Sequence, residues 1–166
     1  MALTVEDGSL VSGADSYIAL ADARTYCTAR GVSLSDDDTT AEVQLRQAFD
    51  YLELKRADYK GTKVDSAQLT QWPRTGVLID GVEVDSVTIP TELKYAQVQY
   101  AVAVNSGLSL LPSADGTKFV KREKVGQLET EYSEAVAVSG IPIVRIAEKL
   151  LEPLLNRVGM LTVERA

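Results

Sequence analysis

The chain has 166 residues, 45% hydrophobic and 25% charged, with a net charge of −7: enough for one domain with a core, and by default a poor non-specific binder of phosphate, a local basic site aside. It contains no histidine, which removes the commonest general base and zinc ligand, so we expect neither enzyme nor metal nor cofactor. No apolar run approaches the ~20 residues of a membrane span, residues 1–8 lack signal-peptide character, and the single Cys27 forms no internal disulfide and fits a reducing cytoplasm.

Residues 1–14 read as an extended lead-in punctuated by Gly8, Ser9, Ser12 and Gly13. Asp15-Ser16 carry short acceptor side chains suited to capping a helix, which runs to about Arg30 with Ala19, Leu20, Ala23, Tyr26 and Cys27 on one face. Cys27 is read there as a small core residue. Ser33–Thr40 is a polar connector whose three aspartates lack the alternate spacing, central glycine and distal glutamate of a calcium loop. They fit an acidic turn at a helix N-terminus. The second helix spans about Thr40–Asp58, with Leu45, Ala48, Phe49 and Leu52 inward and Arg46, Asp50 and Glu53 outward.

Residues 62–89 change character, since Gly61, Pro73, Gly76 and Gly81 forbid a long helix. Asp80-Gly81 between short apolar runs marks a two-residue hairpin turn. Ile89-Pro90 opens a third helix, with proline in the first turn, and its apolar residues lie on nearly all faces, as in a central, buried helix. It stops at Asn105-Ser106-Gly107. After a loop, Phe119–Tyr132 reads as a β-ribbon turning at Gly126-Gln127. A last helix starts at Ile141-Pro142 and is broken near Leu151 by Pro153. The layout is thus one mainly α domain: a lead-in (1–14), a helical core (15–107) containing the 62–89 loop and hairpin, a ribbon (118–132), a C-terminal helix (141–157) and a tail arm (158–166).

Charge is uneven: residues 1–117 carry 9 Lys/Arg against 17 Asp/Glu, and residues 118–166 carry 8 against 7. Lys118, Lys121, Arg122 and Lys124 form the one basic cluster. It reads as a solvated ribbon face, as a contact for an acidic protein surface, or as a contact for the DNA backbone. With Phe119 as its one nearby aromatic, it offers little of the stacking platform that single-strand binders use.

Five segments stand out in order: Ala14–Ile18, Arg46–Leu52, the run Gln71-Trp72-Pro73-Arg74-Thr75-Gly76 with the only tryptophan, Ile89-Pro90, and Val120–Gly126. Together they resemble the small head-to-tail adaptors of tailed-phage necks, whose relatives are often labelled DnaT-like single-strand DNA-binding proteins. The resemblance covers roughly residues 14–155. It implies a small helical bundle of about four helices with an inserted β-hairpin or ribbon and extended terminal arms. It also implies a dodecameric ring on the portal that extends and seals the DNA channel and docks the tail, located in the virion after assembly in the host cytoplasm. The implied partners are the portal, further copies of the chain, tail or neck proteins, and genomic DNA passing without tight binding; no membrane is implied. On this reading Trp72-Pro73 is a rigid aromatic corner, either a hub clamping the loop to the bundle or an interface anchor. Arg74 is the partner of a carboxylate in the same or the next subunit, and acidity suits a channel wall that repels phosphate. The alternatives are a single-strand DNA-binding protein and a cytoplasmic assembly or regulatory factor without DNA contact.

Overall fold

The computed structural model describes residues 2–111, 122–125, 128–131 and 144–156, the strands at 122–131 by their backbone alone. The architecture is a mainly α bundle of four helices with inserted hairpins: α1 (Leu20–Arg30), α2 (Asp38–Leu54), α3 (Thr91–Asn105) and α4 (Arg145–Leu151). Among the described residues six short strands form three separate antiparallel pairs. These are β1 (Thr62–Lys63) with β2 (Arg74–Thr75), β3 (Leu78–Ile79) with β4 (Val82–Glu83), and β5 (Arg122–Val125) with β6 (Leu128–Glu131).

Helix α3 packs against α1, α2 and α4, the central position its apolar surface requires. Leu93, Ala96, Val98, Tyr100 and Ala101 are all fully buried. Facing it, α2 buries Ala41, Leu45, Ala48, Phe49 and Leu52, a stripe at helical spacing. Asp37 caps α2 by accepting from the Thr40 backbone N–H at 2.8 Å, so the acidic connector is a helix start. Helix α2 ends at Leu54 and tightens into a 3-10 turn over Lys55–Ala57, four residues short of the extent read from its pattern. Helix α4 gives way at Leu151 to a 3-10 turn over Glu152–Leu154 that contains Pro153. The expected start at Ile141-Pro142, the ribbon turn at Gly126-Gln127 and the tail from Arg157 lie outside the described residues.

Asp15 and Ser16 do not cap α1. That helix begins at Leu20 after an extended Ala19 that makes no side-chain cap. The two short side chains are used elsewhere: Asp15 accepts from the Thr4 N–H at 2.7 Å and pairs with Arg46, and Ser16 bonds Ile18. They tie the lead-in to the bundle. Val5 and Ser16 form a parallel bridge, and Glu6 is buried with its carboxylate accepting from the N–H groups of Gly8, Leu10 and Val11. At Gly8 (φ 109°) a Cβ would lie 1.9 Å from the Val87 carbonyl oxygen, so only glycine lets the lead-in pass this close. Pro90 is the cap residue of α3, just before its first turn. Asp80 (φ 51°) and Gly81 (φ 82°) both take positive φ, the turn geometry that sets the β3–β4 register.

Candidate interaction surfaces

The Trp-Pro-Arg run lies in a loop closed by the pairing of β1 with β2, strands of two residues each that left no hydrophobic alternation to read. Gln68 holds the loop from inside. Its amide donates to the carbonyls of Thr70 (3.0 Å) and Pro73 (2.9 Å) and accepts from Val64. Trp72 is fully buried, joined by a cis peptide to the buried Pro73, with its ring edge-on to Tyr59 at 5.7 Å between centroids. Its Nε1 is buried and finds no acceptor among the described residues.

A polar clasp fastens this loop to α2. Glu53 accepts from the Gln71 N–H with both oxygens, at 3.1 and 2.9 Å, and from the Tyr17 hydroxyl. The same hydroxyl oxygen accepts from the Trp72 N–H at 3.2 Å. Burial raises the Glu53 carboxyl above its ordinary range, against the lowering effect of these hydrogen bonds, and burial together with the Glu53 charge raises the Tyr17 hydroxyl strongly. Glu53 therefore does not belong to the outer face of α2 where its helical phase placed it. Gln97 performs a similar task on α3: it donates to Ser16 and the Leu45 carbonyl and accepts from the Tyr17 N–H, each at 2.9 Å. A sequence signal existed here, because Gln97 falls between Leu93 and Tyr100 on the inward stripe.

Arg74 meets carbonyls instead of the expected carboxylate. It is 7% exposed and donates to the backbone oxygens of Lys60 (2.7 Å), Gly61 (2.8 Å) and Gln71 (3.3 Å). The planar fork fits several carbonyls at once, and burial lowers the pKa of its guanidinium. Trp72, Pro73 and Arg74 thus sit together in the interior, apart from any described outer surface.

The basic cluster divides. Lys118 and Lys121 lie outside the described residues, while Arg122 and Lys124 stand on β5 opposite Glu131 and Glu129 of β6. Opposite charges at directly facing ladder positions favour strand pairing. Several other cations are engaged: Arg24 pairs with Asp38, Arg46 with Asp15, and Lys55 with Glu148. Lys60 and Lys63 bond carbonyls, and Arg30 lies 3.9 Å over the Tyr26 ring.

The aromatic rings among the described residues are packed inward as well. Tyr17, Tyr26, Phe49, Tyr51, Tyr59, Trp72 and Tyr100 are buried, and the partly buried Tyr95 stacks on Tyr26 at 4.4 Å. Among the described residues no ring face is left as a platform for bases, no group of three His, Cys, Asp or Glu side chains could hold a metal ion, and no helix is long and apolar enough to cross a membrane. Cys27 is buried, which raises its thiol pKa.

A family model described as "Putative DnaT-like ssDNA binding protein" matches residues 1–166, and the chain belongs to that family. No curated protein and no solved structure matches.

Proposed function

We propose that this member of the DnaT-like family is a structural assembly protein, the head-to-tail adaptor of a tailed bacteriophage. In this reading copies of the chain form a ring on the portal, extend the DNA channel and dock the tail, in the virion neck and without catalysis. The observation that carries the reading is the β5–β6 ribbon. It is a two-stranded sheet of its own in the connection between α3 and α4, and no third strand joins it among the described residues. An isolated two-stranded ribbon is marginal in water, and its outer edges hold backbone donors and acceptors for a further strand. Strand addition from a neighbouring protein supplies that partner. The acidic charge of −7 suits a wall past which DNA slides.

The second reading, single-strand DNA binding, is favoured by the description of the family itself. Against it stand the buried rings and the several engaged cations among the described residues, because single-strand binders need exposed stacking surfaces and unpaired positive charge. Fluorescence anisotropy with a labelled 30-nucleotide single strand at about 0.15 M salt tests this directly. The adaptor reading expects no sub-micromolar complex. A tight, salt-sensitive complex that disappears when Lys121, Arg122 and Lys124 become alanine would establish DNA binding instead.

A further inference from the structure

The β5–β6 ribbon carries opposite charge on its two strands. β5 (Arg122–Val125) holds two cations and one glutamate, whereas β6 (Leu128–Glu131) holds two glutamates and no cation. The register sets Arg122 against Glu131 and Lys124 against Glu129, with Glu123 against Thr130 between them. Among the described residues each of these strands pairs only with the other. The ribbon therefore has one outer edge on a strand of net positive charge and one on a strand of net negative charge.

The alternation of an antiparallel ladder then decides which edges can join. Facing residues either both turn their backbone groups toward the partner strand or both turn them away. In the ribbon Arg122, Lys124, Glu129 and Glu131 are of one kind, and Glu123, Val125, Leu128 and Thr130 are of the other. The same matching holds across an outer edge. With β5 of one copy against β5 of another, cation positions could face only cation positions, and β6 against β6 would set glutamates against glutamates. Like charges directly opposite are destabilising. With β5 against β6 of another copy, Arg122 and Lys124 would again face Glu131 and Glu129, and a slide of two residues would still oppose a cation to a glutamate.

We propose that β5 of one copy adds to β6 of the next, so that ribbons join head to tail in one continuous antiparallel sheet. The inference rests on the adaptor reading and deepens it by naming the occupant of the ribbon edge, a second copy of this chain. Main-chain hydrogen bonds supply the affinity of such strand addition, and the charges select the partner edge. Each copy offers one edge of each sign, which makes the contact heterologous, and a repeated heterologous contact closes into a ring or runs on as a filament. The rest of the chain favours the same choice. Residues 1–117 carry 9 Lys/Arg against 17 Asp/Glu, so a cationic strand is drawn toward an acidic neighbour.

Two full-length charge-reversal variants test it: R122E/K124E, with both strands acidic, and E129K/E131K, with both strands basic. In sedimentation velocity at low salt the wild type should self-associate. Each variant alone should do so about tenfold more weakly, and their equimolar mixture should recover oligomers containing both. Both variants lose the opposite charges within their own ribbon, so recovery in the mixture reads the contact between chains. A second measurement leaves Arg122, Lys124, Glu129 and Glu131 in place. E123C chains mixed with T130C or with L128C chains should form a disulfide between chains on mild oxidation, and no variant should do so alone, the native Cys27 being buried. A wild type that stays monomeric, a mixture no stronger than its parts, mixed chains that never cross-link, or E123C chains that link to one another would each overturn the inference. Head-to-tail assembly by a protein that ignores the portal would leave it standing and remove the adaptor reading; portal-bound copies whose ribbons do not cross-link would do the reverse.

Discussion

Trp72→Ala tests the placement of the one tryptophan. The ring is fully enclosed and edge-on to Tyr59, and truncating such a ring costs ~3–5 kcal/mol. At this chain length each kcal/mol moves the melting temperature by about 2–4 °C, so the isolated variant should melt roughly 6–20 °C below the wild type. The structure adds a finer expectation. Because the Nε1 group is buried and no acceptor reaches it among the described residues, an indole N–H left unpaired there costs about 1–3 kcal/mol. Trp72→Phe gives up part of the ring but also sheds that penalty, so its net loss should be only ~1–2 kcal/mol. Thermal melts by circular dichroism and urea titration both read these differences. The wild-type tryptophan emission should be blue-shifted and protected from quenchers in the free protein. An alanine variant that melts within about 2 °C of the wild type would refute the reasoning, as would a phenylalanine variant as unstable as alanine.

The remaining predictions concern the polar clasps. Burial raises the Glu53 carboxyl above its ordinary value of 4.5, so the folded state holds the proton more tightly and stability from this group is lost as pH rises above about 4.5. Glu53→Gln should flatten the stability curve between pH 4.5 and 7, and curves that stay parallel would contradict the placement. Asp37 has the opposite sign: its Thr40 bonds lower its carboxyl below 3.8, so its stabilisation is present at neutral pH and lost as pH falls through the folded value. Asp37→Ala should melt below the wild type at pH 7 and converge with it in acid; equal melts at pH 7 would sink the cap assignment. Arg74→Lys should cost ~2–3 kcal/mol in urea titration, because one ammonium cannot replace the fork that serves three carbonyls. A neutral result would mean that the fork is dispensable.

What the sequence revealed was local. The α2 stripe of Leu45, Ala48, Phe49 and Leu52, the apolar α3 and the Asp80-Gly81 turn follow from spacing and backbone preference between near neighbours. What stayed hidden depends on partners far along the chain. Asp15 and Ser16 have the chemistry of a helix cap, but Thr4, Arg46 and the Ile18 carbonyl claim them. Glu53 lies at a helical phase that reads as solvent, and only the return of residues 70–72 encloses it. Arg74 reads as an ion-pair partner because a lone arginine beside an aromatic carries no sign that three backbone carbonyls will converge on it. The basic run 118–124 reads as a cationic patch until the β5–β6 register sets glutamates across from Arg122 and Lys124.

Native mass spectrometry of the intact protein mixed with the portal rings that the adaptor reading assigns as its partner tests that reading most directly. The account predicts a fixed number of copies bound per portal ring, and loss of that binding when residues 118–132 are deleted while the remaining chain stays folded. A protein that ignores the portal, and instead forms a stable complex when the 30-nucleotide single strand is added, would contradict it.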